Sequence, residues 1–599
     1  MKRKCIYILS MSNGIVDQYV WNALHHFQSA FDNLLLVCSA LPENLEICLR
    51  PNDDLMMFSE TETNKMNYSG LLAQIGWNEL AQWDEIIITD DCLMGPVFPL
   101  KDMLSRMEER TELGFWGLTA CNYATIEGKN QLYIPLRFIA FRKELLKDSL
   151  FRNAWEKIQY WKGNKNAREE REYTLTKLIT DAGYRWDTYV RIPEDRYDIS
   201  DFLLLDPMRA VKEEGSPMFL KSTFICSQMK YITISAGEQP WEFFRYLRQE
   251  TDYEVPMIWR TLIRTEYQDD IARALRMTYV LPSGNCLGKE RSTQRVALVM
   301  HLYYMDLLEE ALHYASSMPE DADLYIFTCN HEKAKIISKR FQVLGNHKEI
   351  HVTQNRGRDV GSFLVETANL QGKYDLICFY HDKKSGHLKP HMSGNSFAYK
   401  TAECVLCSKQ YVLNVIHLFE TTPYLGMISG STPNHGSLLG QLGREWGTNY
   451  NRTKKLAEEL EINVPMAEDH RPAIGLGDVF WYRTKAMVPM FRKKWKYEDF
   501  PEEPIGVDGT ILHAIERIYP FAVQEAGYLP GRALPDHLAA LEISNLEFYV
   551  REYNRVRMDA EINGDIQTVI RVMRERLRDR KSTRLNSSHR CTSRMPSSA

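Results

Sequence analysis

No stretch of the 599-residue chain approaches the 18 consecutive apolar residues that a membrane-spanning helix needs. The apolar run behind Met1-Lys2-Arg3-Lys4, from Cys5 to Leu9, is too short for the core of a signal peptide. Basic charge is not in excess: 74 Lys and Arg against 79 Asp and Glu leave a net charge of −5, so nothing favours nucleic acid as a partner. The 12 cysteines are scattered, and several sit in apolar runs (Cys5, Cys38, Cys378), which is the usage of a reducing compartment. The one Cys-x-x-Cys, Cys404 with Cys407, has no second pair, so a helix face is expected there rather than zinc. Together these absences predict a cytoplasmic protein.

What is present is an ordinary globular composition, 44% apolar, at a length that suits two large α/β domains. The organising stretch is Asn355-Arg356-Gly357-Arg358-Asp359-Val360-Gly361, followed by the apolar run Leu376 to Tyr380, which stops in His381-Asp382-Lys383-Lys384-Ser385. A short apolar run bounded by charge reads as a buried parallel strand, and ligands bind outside the carboxyl ends of such strands. A carboxylate, two guanidinium groups and two glycines that let backbone approach a ligand suit a phosphorylated, hydroxyl-rich molecule such as a nucleotide sugar.

The pattern occurs twice. Gly70 is followed fourteen residues later by Asp84, and Gly361 fourteen residues later by Asp375; the apolar runs end at Asp90 and His381. Strand-helix-strand openings recur at residues 5–38 and 296–328. Further landmarks pair Arg142 with Arg483, and Glu172, expected to open a helix, with Asp508. Such a repeat predicts two similar domains, 1–205 and 295–540, joined by a helical linker at 206–294. Residues 541–580 read as a C-terminal helical segment with Leu546, Tyr549, Val550 and Tyr553 as one stripe, expected to pack on the body, with a membrane-surface or partner helix as the other reading. Residues 581–599, rich in Ser and Arg without periodicity, resemble translated vector sequence and carry no fold expectation.

Several motifs in order resemble the rhamnan-synthesis F family of bacterial polysaccharide glycosyltransferases. They are Val296 to His301, Asn355 to Gly361, Tyr374-Asp375, His381 to Ser385, Phe480-Trp481-Tyr482-Arg483 and Asp508 to Arg517, with Trp446 and Asn449 fitting the same pattern. The resemblance implies two tandem GT-A-like (Rossmann-like) α/β domains, a nucleotide-sugar donor such as dTDP-rhamnose, and a lipid-linked or polymeric glycan acceptor, handled at the inner membrane face. The chain departs from the pattern at Asp478, where the family has a small residue, and at Tyr68, which takes the repeat position of Asp359.

Roles follow for named residues. Asp359, with Asn355 beside it, is expected to hold base or ribose; His301 ends the first strand of its half, a usual place for nucleotide contact. Arg356 belongs to the same binding segment. Lys383, Lys384 and Arg358 are expected to neutralise the leaving diphosphate. His381-Asp382-Lys383 stands where GT-A enzymes usually carry an acid-x-acid metal site; with one acid there, an Mg²⁺ or Mn²⁺ ion stays an open question. Asp508 is the expected general base, with Glu503 and Glu502 as rivals. Trp446, Asn449, Trp481 and Arg483 are expected to line the pocket. The other reading is a carbohydrate-binding or scaffold protein on the same fold, without turnover.

Overall fold

The run Cys5–Leu9 is buried on both faces, as a central parallel strand requires, and forms β1 (Arg3–Leu9). The computed structural model describes residues 1–10, 15–41, 49–58, 67–124, 130–159, 167–288, 291–384, 388–473, 476–506, 508–559, 561, 562, 564 and 568–576. Helix α1 (Gln18–Ala30) buries Tyr19, Val20, Ala23, Leu24 and Phe27 on one face and leads to β2 (Asn33–Cys38). Next come β3 (Asp54–Met57) and α2 (Tyr68–Ile75), which starts where the Asn67 side chain accepts the Gly70 N–H. The strands β4 (Glu85–Asp90), β5 (Phe115–Gly117) and β6 (Phe138–Arg142), the helix α3 (Ala167–Asp181) and β7 (Trp186–Thr188) follow. The sheet order is β7-β5-β6-β4-β1-β2-β3, with β6 antiparallel to both of its neighbours.

After α4 (Pro256–Thr265) the second sheet is built from β8 (Thr278–Leu281), β9 (Val296–His301), β10 (Asp323–Thr328) and β11 (Lys348–Val352). It continues through α5 (Arg358–Glu366), β12 (Leu376–His381), α6 (His391–Leu406), β13 (Leu425–Ser429), β14 (Phe480–Arg483), α7 (Ile511–Glu525), β15 (Leu529–Pro535) and α8 (Asp536–Asp559). Its order is β8-β15-β13-β14-β12-β9-β10-β11, again with one strand, β14, antiparallel to both neighbours. Apart from the added edge strand β8, order and directions repeat those of the first sheet.

The repeat extends to hydrogen bonds. Asp84 accepts the Lys2 N–H at 2.8 Å, and Asp375 accepts the Arg295 N–H at 2.9 Å. Arg142 lies opposite Glu85 and Arg483 opposite Leu376, the first residues of β4 and β12. One expected pair is corrected. Glu172 does not open α3 but lies inside it and accepts the Leu136 N–H at 3.3 Å. In the second unit Glu516, inside α7, accepts the Gly477 N–H at 2.6 Å. Leu136 and Gly477 each precede the matched arginine by six residues, so Glu516, not Asp508, is the counterpart of Glu172.

The chain divides into two compact units, one of Met1–Cys226 and Glu238–Arg276 with Val464–Met466, the other of Ser227–Gly237, Met277–Asn463 and the chain from Ala467. The expected linker at 206–294 is therefore corrected. Helix α4 buries Met257, Ile258, Trp259, Leu262 and Ile263, a stripe too apolar to stand alone, and it packs on α1. Arg264 pairs with Asp17 at 2.8 Å in the same unit. Strand β8, from the other end of the expected linker, pairs with β15 in the second sheet. The C-terminal expectation is also corrected: only Leu538 and Ala539 of α8 are buried, while Leu546, Val550 and Tyr553 are 41%, 56% and 44% exposed. The expected tail, 581–599, lies outside the described residues. Among the described residues no helix is long and apolar enough to cross a membrane.

Candidate active site

Parallel pairing in register brings His301 and His381 side by side at the carboxyl ends of β9 and β12. The amino end of α5 meets them there, because the chain leaves β11 through Gly357, held at φ 75°, and turns straight into the helix. His301 Nδ1 lies 2.8 Å from Ser362 Oγ, and His381 Nε2 lies 3.6 Å from Asp359 Oδ2 and donates to the Gly477 carbonyl at 2.9 Å. Burial pushes His301 down to about 4 against the pull of Asp359, so its imidazole is neutral at pH 7. Burial opposes the charge on Asp359 as well, but His381 and Lys383 prevail and hold it below the usual carboxylate range. The carboxylate also gains from the positive end of the helix dipole.

Asp382 closes the turn after β9 by accepting the Tyr303 and Tyr304 N–H groups at 2.8 and 2.6 Å. Burial nevertheless raises its pKa to about 6. Asp91 accepts the Ser10 N–H at 3.1 Å in the same place of the first unit, and burial with the neighbouring Asp90 charge raises it to about 7. Lys383 lies 4.7 Å over the Phe397 ring, and its charge acts on both Asp359 and Asp478.

Asp478 lies two residues before β14 and, since β14 is antiparallel, arrives at this same edge of the sheet. It is held at φ 53°, a conformation that costs an ordinary side chain free energy. Burial and the charges of Glu516 and Asp359 push its carboxyl well above the usual range. Its Oδ1 is buried and has no hydrogen-bond partner among the described residues. The same is true of Ser431 Oγ, Thr432 Oγ1 and His435 Nε2, which follow β13 at this edge, and of Asn449 Oδ1. Buried polar atoms are paired in most native structures, so these orphans are open to a ligand or ordered water, as are others elsewhere in both units, Arg137 Nε among them.

The expected base, Asp508, is exposed and accepts Asn449 Nδ2 at 2.8 Å and Thr448 Oγ1 at 3.0 Å. Burial disfavours its charge, but these hydrogen bonds and the Gly509 N–H hold its pKa below the ordinary value. Arg517 donates to the Glu445 carbonyl at 2.8 Å and to Glu516 at 2.9 Å, and its charge acts on both Asp508 and Asp478. His513, whose Nδ1 lies 2.7 Å from Thr510 Oγ1, feels the charges of Glu516, Arg517, Asp508 and Arg358, and burial keeps it below its usual pKa.

Of the expected site residues, the structure thus brings together His301, Asp359, His381, Asp382 and Lys383, and separately pairs Asp508 with Asn449 under the charge of Arg517. Others are corrected. Arg358 is committed to Glu503 through two contacts, at 2.7 and 3.2 Å, and this pairing holds Glu503 below the usual carboxylate range and makes it a poor base. Arg356 binds the Phe500 carbonyl at 2.7 Å and Glu502 at 3.2 Å, so it fastens a loop. Lys384 pairs with Asp306, and Asn355 is exposed. Trp481 is fully buried, its Nε1 on the Val405 carbonyl at 2.9 Å, and Trp446 stacks on Phe521 at 5.6 Å with 6% exposure. Arg483 sits opposite Leu376, at the far end of the sheet, and binds the Leu425 carbonyl at 2.7 Å. The glycines open no path to a ligand: a Cβ on Gly361 would run into the Arg356 carbonyl, and one on Gly357 into the Phe500 ring. Sequence reasoning missed Glu516, Arg517 and His513; the register of the repeat, read through Glu172, was the signal that pointed to Glu516.

A mixed α/β scaffold with two large sheets, carrying a buried charged cluster at the carboxyl ends of one of them, defines the class of this protein. The chain belongs to the rhamnan synthesis protein F family, whose model matches residues 41–528. Two curated relatives, each named uncharacterized protein WxcX, from Xanthomonas campestris pv. campestris strains B100 and ATCC 33913, are 28% identical over 243 residues. That segment is 40% of this chain and 33% of theirs, so the chain spans about a third of the relatives it matches. Among solved structures, the glycosyltransferase GlyE of Streptococcus pneumoniae TIGR4 aligns over 67% of this chain and 90% of its own at 11% identity, with a TM-score of 0.23. HddC of Yersinia pseudotuberculosis covers 25% of this chain and 80% of its own at 10% identity, with a TM-score of 0.17. Scores this low carry no inference about this chain.

Proposed function

We propose that the chain is a glycosyltransferase of polysaccharide synthesis that takes a nucleotide-sugar donor in its second unit, on a GT-A-like arrangement. The observation that carries this reading is the carboxyl edge of the second sheet, where Asp359, Lys383 and Asp478 act on one another and Asp478 Oδ1 is left without a partner among the described residues. Asp359 accepts donor hydroxyl or base protons, and Lys383 faces the diphosphate as preorganised positive charge. The acceptor oxygen attacks the anomeric carbon as the bond to the diphosphate breaks. The nucleoside diphosphate leaves with the bonding pair, and Asp508 takes the hydroxyl proton. Direct attack of this kind inverts the anomeric centre. Family membership favours dTDP-rhamnose as donor and a lipid-linked or polymeric glycan as acceptor, handled at the inner membrane face.

With Lys383 beside the diphosphate, transfer proceeds without Mg²⁺ or Mn²⁺. Transfer rate and donor affinity, measured with and without chelator, test this. Asp508→Asn should cut the rate about 10²–10⁴-fold, Asp359→Ala should lose donor affinity, and Asp91→Asn and chelator should change little. Activity lost in chelator and in Asp91→Asn, yet kept in Asp508→Asn, would move the site to the first unit. A binding role without turnover has one observation in its favour: Asp508 and Glu503 are both held below the usual carboxylate range, which weakens them as bases. Donor binding with no transfer to any glycan would establish that reading instead.

A further inference from the structure

Further along the same edge, past the carboxyl end of β15 and three strands from β12, three side chains with metal-binding atoms converge at the root of α8. Glu403, in the last turn of α6, and Cys407, at its carboxyl cap, are one turn apart and share a face. His537 is in the first turn of α8. Glu403 Oε2 lies 3.3 Å from His537 Nε2, and the ligand atoms of Glu403, Cys407 and His537 all lie within 4.8 Å of one another. Glu403 is only 8% exposed, and its other oxygen is fixed by the Tyr314 hydroxyl at 3.2 Å. On the far side of the imidazole, Asp536 Oδ1 lies 3.8 Å from His537 Nδ1. That separation is too long for a hydrogen bond, and the oxygen accepts the Ser283 hydroxyl at 2.6 Å and the His537 backbone N–H at 3.0 Å, so Asp536 contributes nearby negative charge rather than a fixed ring orientation. The motif partner Cys404 plays no part, for it is fully buried against Leu534, Leu538 and Ala539.

We propose that Glu403, Cys407 and His537 form a binding site for a zinc-class divalent ion, with water as the fourth ligand. The donor set decides the ion. One sulfur, one imidazole nitrogen and one carboxylate oxygen suit a borderline-soft tetrahedral metal, whereas Ca²⁺ and Mg²⁺ require oxygen ligands throughout. Ligand bonds of about 2.0–2.3 Å place donors roughly 3–4 Å apart around one ion, so the triangle has only to tighten slightly. On binding, the Cys407 thiol releases its proton to solvent as the sulfur–metal bond forms, and His537 gives its Nε2 lone pair while Nδ1 keeps its proton. The Cys-x-x-Cys of the sequence thus gives one of three protein ligands, Cys407, and the other two come from one turn upstream and from a helix some 130 residues on. Such an ion ties α6 to the first turn of α8, the one part of that helix that is buried, and so fixes where its exposed apolar length projects.

Titration of the untagged full chain with Co²⁺, read as thiolate-to-cobalt charge transfer and competed by Zn²⁺, tests the site. The expected result is a stoichiometric band that persists in Cys286→Ser and Cys329→Ser and vanishes in Cys407→Ser. His537→Ala, at a residue exposed enough to be replaced without unfolding the chain, should weaken Co²⁺ binding about tenfold or more. Zn²⁺ should raise the melting temperature of the wild type and not of His537→Ala. No charge-transfer band, a band that survives in Cys407→Ser, or unchanged affinity in His537→Ala would each overturn the proposal.

Discussion

Asp382 and His301, neighbours at adjoining strand ends, should make the stability of the second unit depend on pH in opposite senses. Asp382 is 6% exposed, and burial lifts its pKa from 3.8 to about 6. The unfolded chain releases this proton first, so between those values the folded state binds more protons and stability falls as pH rises, levelling off above about 7. His301 is likewise 6% exposed, and burial lowers it from 6.5 to about 4. Here the unfolded chain binds the extra proton, so stability rises with pH between those values. At 1.36 kcal/mol per unit, integration from pH 5 to pH 8 gives a loss of ~1.4 kcal/mol through Asp382 and a gain of ~2 kcal/mol through His301. Other titrating groups, Asp478 among them, cancel when each variant is compared with the wild type at both pH values. Amide hydrogen exchange over Val296–His301, corrected for base catalysis, reads the opening free energy of this unit alone. Relative to wild type, Asp382→Asn should gain ~1.4 kcal/mol between pH 5 and pH 8, about a tenfold change in protection, and His301→Gln should lose ~2 kcal/mol. Parallel pH profiles for both variants and the wild type would refute the assignment of these two carboxyl and imidazole environments.

Two further outcomes concern residues that look functional but hold the fold. Gly361→Ala should destabilise the second unit by about 1–3 kcal/mol, because the added methyl drives against the Arg356 carbonyl and loosens its grip on the Phe500 loop; urea unfolding checks the size. Trp481→Ala should cost about 3–5 kcal/mol in the same assay, yet leave donor affinity intact at a temperature where the variant is folded, as a core residue would and a pocket residue would not.

Much of the scaffold was legible because its strands are buried on both faces. Runs such as Val296–Met300 and Leu376–Tyr380 have few other readings, and the spacing between them repeats. Strand direction was not legible. Phe480–Arg483 reads as one more apolar run, but it enters the sheet antiparallel, which sends Asp478 to the ligand edge and Arg483 to the opposite end. A pattern of residue types carries no sign for direction, since side chains alternate alike either way along a strand. The motif residues Trp481 and Arg483 therefore turned out to be packing, and the residue just outside the motif turned out to face the site. The glycines misled for a related reason: a small residue signals close approach but does not say of what, and here the approach is by the chain's own carbonyl and ring.

The two units differ in what the shared scaffold holds. At the position of Asp478, five residues before the matched arginine, the first unit carries Arg137. Arg137 is buried and meets Asp201 through two hydrogen bonds, at 2.6 and 2.8 Å, so the spot is closed by an internal ion pair. At the position of Asp359 stands Tyr68, its ring stacked at 6.1 Å on Trp155. At the position of His381 stands Asp90, within 4.0 Å of Arg168, which also pairs with Glu172. In each case the first unit answers its own charge or fills the space with an aromatic ring. The second unit leaves Asp478 Oδ1 unanswered and holds Asp359 ionised beside Lys383. A buried carboxyl oxygen left without a partner costs free energy unless something else supplies one. Arg137 Nε is orphaned too, so the contrast lies in charge: the first unit closes the position with an internal ion pair, whereas the second sets Asp478 against the ionised Asp359 and Lys383, and that is the physical ground for placing the donor in the second unit.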